Sequence, residues 1–185
     1  MGEQHKKHSR REHLNDFHLN VAGEYVYDGA LYACQNDDAK QRRSKRAVWG
    51  MAAILTVAVA AGGCIPAPGM QNCFYVLLPY LGEFLGAASV IWALAKLGMD
   101  WGTVREYNYK KSVAVLPVRT AVTAVFSLLG IVCELIFFFV NDHAGQTFFA
   151  LLYVLLKLTA LLSALVLRAE IMQAEWDKLP KKDNS

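Results

Sequence analysis

Charge is scarce in this chain: Asp, Glu, Lys and Arg make up 19% of its 185 residues, against a hydrophobic share of 55%. Soluble domains carry about 25% charge, so the deficit argues against one. Catalytic motifs are missing as well. There is no glycine-rich phosphate loop, no His-Glu-x-x-His zinc helix and no nucleophile elbow, which removes the commonest phosphoryl-transfer, metallohydrolase and acyl-transfer chemistries. The four cysteines contain no Cys-x-x-Cys pair, so dithiol redox chemistry lacks its usual vehicle. The expectation is a non-enzymatic protein with neither metal nor cofactor.

The apolar residues fall into four blocks, 47–65, 74–97, 113–140 and 146–168. Each approaches or exceeds the roughly 20 residues that carry a helix across a hydrocarbon core about 30 Å thick. The fold class expected is an all-α membrane protein, a four-helix transmembrane bundle running up-down-up-down. The third block is the longest and carries Pro117 near its start, where a bend is expected. The string "AVAAGGC" ending at Cys64 has the look of a lipoprotein cleavage box, but 46 mostly polar residues precede the run. That is far longer than a signal peptide's charged region, so a retained helix is expected.

Lys and Arg mark the side on which loops stay. Nine precede the first block, Arg105, Lys110 and Lys111 lie between the second and third, and Lys178, Lys181 and Lys182 follow the fourth. The connections "PAPGMQN" and "NDHAG" carry none. The positive-inside rule then puts both termini in the cytoplasm of a multi-pass protein of the cell membrane. Short outer connections would make spans 1 and 2, and spans 3 and 4, antiparallel neighbours.

Ahead of the first span, residues 1–16 form a basic, histidine-containing tail; His5 and His8 suit one helical turn, but nothing completes a metal site. Residues 17–35 alternate apolar and polar positions around Asp28-Gly29, which predicts a cytoplasmic hairpin or meander turning there, with a second turn at Ala22-Gly23. So small a sheet needs a surface, either this protein's own inner face or a soluble partner docked on its tyrosines. Residues 36–46 start a helix at Asn36 or Asp37 and carry Arg42, Arg43, Lys45 and Arg46. These can contact anionic headgroups at about 1 kcal/mol each. Interspersed acidic residues argue against nucleic acid as a partner. Residues 169–185 look like the fourth span continuing as a cytoplasmic helical extension until Pro180.

Polar residues inside the spans carry the functional signal. Span 3 places Thr120, Thr123, Ser127, Gly130 and Glu134 on one face, span 2 Pro79, Gly82, Gly86, Ser89 and Ala93, span 4 Ala150, Tyr153, Lys157, Ala160 and Ala164, and span 1 Ala52, Thr56 and Ala60. Small residues at this spacing let membrane helices approach closely, so these stripes are expected to face inward, with Gly82-x-x-x-Gly86 as a helix contact. At 1.5 Å per residue Lys157 lies near its span's centre, Glu83 about 4 Å and Glu134 about 11 Å to the outer side. Arg119 lies about as far inward, within snorkelling reach of headgroups. A lone charge at mid-membrane costs at least about 3 kcal/mol, so Glu83 should pair with Lys157, and Glu134 should act as a second acceptor. Cys64 and Cys73 bracket the first outer connection at matched depth, which makes them candidates for a disulfide or a pair of free thiols.

Two functions fit. One is an accessory or interaction subunit of a membrane complex, alone or as a homo-oligomer. The other is a small oligomeric proton- or ion-coupled transporter or channel using Glu83, Lys157 and Glu134. Four-span membrane redox proteins and small multidrug exporters share the span number, but a shared span number carries no function.

Overall fold

A computed structural model describes residues 17–19, 23, 25–27, 29–98, 101–141 and 147–179. The elements in chain order are β1 (Phe17–Leu19), β2 (Tyr25–Tyr27), β3 (Leu31–Cys34), α1 (Asp38–Cys64), α2 (Pro68–Asn72), α3 (Phe74–Leu97), β4 (Thr103–Arg105), α4 (Glu106–Lys111), α5 (Leu116–Val140), α6 (Thr147–Met172) and β5 (Trp176–Lys178). Four helices among the described residues are long and apolar enough to cross a membrane: α1, α3, α5 with its α4 lead-in, and α6. The expected tail at 1–16 lies outside the described residues.

Helix boundaries follow local chemistry. Asp37 sits at the N-cap position of α1 without a side-chain capping hydrogen bond, and the helix runs without interruption from the basic segment into the apolar one. Gly98 ends α3 with φ +71°, a left-handed conformation that side chains resist, and its N–H reaches the Leu94 carbonyl at 3.1 Å. Pro117 does not bend a longer helix. It stands in the first turn of α5, where its missing N–H is no loss, and residues 112–115 form a turn that separates α4 from α5.

The helices enclose a layered core. Next to the strands, Val48, Val90, Leu94, Leu97, Leu116, Leu167 and Ile171 pack as large apolar side chains. A layer of small residues follows: Ala58, Ala87, Ala124, Ala160 and Ala164, with Leu55 and Val59. Beyond it come Glu83, Ser127 and Lys157, and then Glu134 beside the short helix α2. The named stripes of α5 and α6 are buried throughout, and that of α3 is buried or half-buried. The stripe read in α1 is a correction: Ala52 is buried, but Thr56 and Ala60 are exposed, and Val48, Leu55, Val59 and Gly62 turn inward instead. Thr56 tolerates this because its hydroxyl donates to the Ala52 carbonyl at 2.7 Å, satisfied within its own helix. Neighbour relations match the expectation for α5 and α6 and differ for α1 and α3. The close seams are α1 on α6, α6 on α5 and α5 on α3, while α1 meets α3 along a thinner one.

The strands rearrange the expected hairpin. β1 pairs with β2 in an antiparallel ribbon around Gly23, whose φ of +78° suits the connection. Asp28 lies outside the described residues, but β2 and β3 on either side of it do not pair with each other, and β3 belongs to a different sheet of order β4-β3-β5. In it Tyr32 stands opposite Val104 on one side and Lys178 on the other. β5 also overturns the helical reading of the C-terminal extension: α6 stops at Met172, and Trp176–Lys178 takes up the hydrogen-bonding edge that β3 offers. This sheet ties together the start of α1, the α3-to-α5 connection and the end of α6. Aromatics lock it: Tyr32 and Tyr109 stack with centroids 4.1 Å apart, and Trp176 lies 6.2 Å from Trp101. Trp101 itself is buried in the core.

Candidate functional site

Glu83 of α3 and Lys157 of α6 face each other across the bundle and form a salt bridge, with side chains 0% and 2% exposed. That near-complete burial decides their partners, because neither charge is open to lipid or to another chain. Glu83 divides its carboxylate between two helices. Oε2 accepts from Lys157 Nζ, and Oε1 accepts from Ser127 Oγ of α5 at 2.6 Å. Three helices are joined at one point by charge-assisted hydrogen bonds.

The lysine is further enclosed by aromatic rings. Its Nζ lies 4.5 Å from the Tyr80 ring centroid and 5.0 Å from that of Tyr153, within cation–π range. Gly130 lies beside its stem, where an added Cβ would stand 3.5 Å from Lys157 Cε, an ordinary packing distance. Tyr80 is three residues before Glu83, and Tyr153 four before Lys157. Sequence reasoning missed this caging role, although the helical spacing to each charge was its available signal.

Glu134 is held apart from the pair. It is fully buried, and Oε1 accepts from the Gly69 N–H of α2 at 3.4 Å, while Oε2 and the Tyr153 hydroxyl have no hydrogen-bond partner among the described residues. The expectation that Lys157 would also bond Glu134 is corrected: Lys157 donates to Glu83 alone, and α2 brings its backbone over Glu134 instead. Nothing in "PAPGMQN" beyond Pro68 announced that a helix would fold there. Arg119 likewise stands outside the cluster. Its Nη1 donates to the Ser89 carbonyl at 2.6 Å, about 9 Å along α3 from Glu83, so it ties α5 to α3 instead of snorkelling. Arg168, which the sequence did not single out, makes a similar tie from α6 to the Pro117 carbonyl at 3.0 Å.

The packing glycines meet α5. A Cβ on Gly86 would lie 2.5 Å from Thr123 Oγ1 and 3.3 Å from its Cα, and one on Gly82 would lie 2.6 Å from the Phe126 ring. Ser89 spends its hydroxyl on the Gly86 carbonyl at 2.8 Å. Cys64 and Cys73 are free thiols, and the disulfide considered for them is not formed: Cys64 ends α1 on an exposed face, and α2 fills the connection between the two. Arg42, Arg43 and Arg46 are exposed, and Lys45 is half-buried. No group of His, Cys, Asp and Glu among the described residues is arranged to hold a metal.

Chemically, the Glu83–Ser127–Lys157 triad balances one negative with one positive charge and leaves none of its buried polar atoms without a partner, which suits an anchor. Glu134 and Tyr153 retain unused hydrogen-bonding capacity. Replacing Ser127 by alanine removes one of the two donors to Glu83 and is expected to destabilise the protein by about 1 kcal/mol, since Lys157 remains. Thermal unfolding in detergent reads this, and an unchanged midpoint would show that the Ser127 bond contributes nothing. No family model, curated protein or solved structure compared with the chain matches it.

Proposed function

We propose that this small multi-pass membrane protein is a non-enzymatic accessory or interaction subunit, oriented with both termini and the three-stranded sheet on the cytoplasmic side of the cell membrane. The observation that carries the reading is the closure of the central charges upon each other. Glu83 and Lys157 are paired and shielded, and Glu83 also accepts from Ser127, so they join helices within one chain. Polar contacts of this kind fix which membrane helices meet. The elaborated surface lies at the other end of the core, where β3, β4 and β5 and the basic start of α1 come together. The Lys and Arg distribution supports the orientation.

A second reading keeps one specific support. The unpartnered Oε2 of Glu134 and the hydroxyl of Tyr153 are buried polar groups next to an ion pair, and intramembrane ionisable residues commonly belong to proton or ion pathways. Purification in mild detergent with mass spectrometry of co-eluting proteins separates the two, run beside proton flux in liposomes. An accessory subunit shows a stoichiometric partner that persists in the Glu83→Gln/Lys157→Met double variant, and no flux. Flux that disappears in Glu134→Gln, with no partner present, would sink the accessory reading.

A further inference from the structure

A polar groove opens between the start of α1 and the end of α6, lined by Asn36, Lys40, Arg43, Ser44, Glu170 and Gln173. Lys40 and Arg43 are three residues apart on α1, one helical turn, and both are exposed. Neither forms an ion pair among the described residues. On the facing helix, Glu170 is held by Ser44, whose Oγ donates to Oε2 at 3.0 Å. Two cations and one fixed carboxylate thus line a single cleft built by both helices.

Its depth is informative. Glu170 follows Lys157 by thirteen residues on one continuous helix, about 20 Å at 1.5 Å per residue. Lys157 sits near mid-membrane, and the headgroup layer occupies the zone about 15 to 22 Å from the centre. The groove therefore falls where phosphates and amines of lipid headgroups reside. Between it and the centre, α6 exposes Leu158, Leu162, Leu165 and Val166, an apolar track for acyl chains.

We propose that this groove is a binding site for an aminophospholipid headgroup, with the phosphate between Lys40 and Arg43 and the primary ammonium on Glu170. A zwitterion with an N–H donor matches the charge set better than choline lipids, whose methylated ammonium has no donor, or glycerol lipids, which leave Glu170 without a counter-charge. The site rests on the membrane-spanning reading and is independent of the accessory role, so failure of one leaves the other standing.

The test is native mass spectrometry of the delipidated full chain in detergent, titrated separately with phosphatidylethanolamine, phosphatidylcholine and phosphatidylglycerol. Wild type is expected to bind the ethanolamine lipid about tenfold more tightly than the choline lipid, the scale of one charged hydrogen bond. Glu170→Gln keeps an acceptor for Ser44, so the fold should hold, and it should erase that preference. Lys40→Gln with Arg43→Gln should weaken all three lipids. Equal binding of ethanolamine and choline lipids, or a preference surviving Glu170→Gln, would overturn the assignment. So would tightest binding of phosphatidylglycerol, which would mean simple attraction to the basic helix start. Binding of soluble glycerophosphoethanolamine as tight as that of the lipid would overturn a lipid as the occupant.

Discussion

Replacing Lys157 by methionine is expected to destabilise the folded bundle by about 3–5 kcal/mol, because it strands a fully buried carboxylate. Glu83 would keep only the Ser127 hydroxyl, too little to offset removal from water in a setting where no solvent reaches it. Replacing both partners, Glu83→Gln with Lys157→Met, leaves similar volume and no charge, and should recover most of the loss, since a buried pair is nearly neutral against an uncharged substitute. Thermal and denaturant unfolding in one detergent, with a double-mutant cycle, measures the coupling directly. A double variant as damaged as Lys157→Met alone would mean the damage comes from lost packing among Tyr80, Gly130 and Tyr153, and the anchor role of the pair would fall.

Gly86→Leu should separate α3 from α5 and lower stability by about 3 kcal/mol, the upper part of the range for overpacking. Even a methyl group there meets the Thr123 hydroxyl at 2.5 Å and the Thr123 Cα at 3.3 Å, and backbone cannot swing aside as a side chain can. Gly82→Ala should be milder, because its obstacle is the Phe126 ring, which can rotate. Gly50, with nothing within 4 Å of its added Cβ, supplies the control: Gly50→Ala should hold or gain up to about 1 kcal/mol from helix propensity. Unfolding midpoints of the three variants check the order, and a Gly86→Leu protein as stable as Gly50→Ala would refute the close approach of α3 to α5.

The inward stripes of α3, α5 and α6 were legible because each pairs small or polar residues with helical spacing, and outward positions there are bulky, as at Phe84, Leu85, Leu128 and Leu155. In α1 the signal failed, since alanines and a self-satisfied threonine occupy the outer face too. The Glu83–Lys157 pair could be inferred from the cost of an unpaired charge, but the cage of Tyr80 and Tyr153 and the contact of Glu134 with Gly69 depend on how the helices rotate and on α2.

Apolar length and the distribution of charge, both local properties of the chain, were enough to establish four membrane-long helices and a buried carboxylate in need of a cation. The sheet was decided only by tertiary structure. β3, β4 and β5 are three or four residues each, separated by whole helices, and none could be stable alone. What makes Trp176–Lys178 a strand and not another helical turn is the unpaired edge of β3, brought beside it once α1 and α6 have packed. Backbone hydrogen bonds between distant segments leave no periodic trace in the residues that make them, whereas burial of a helix face does.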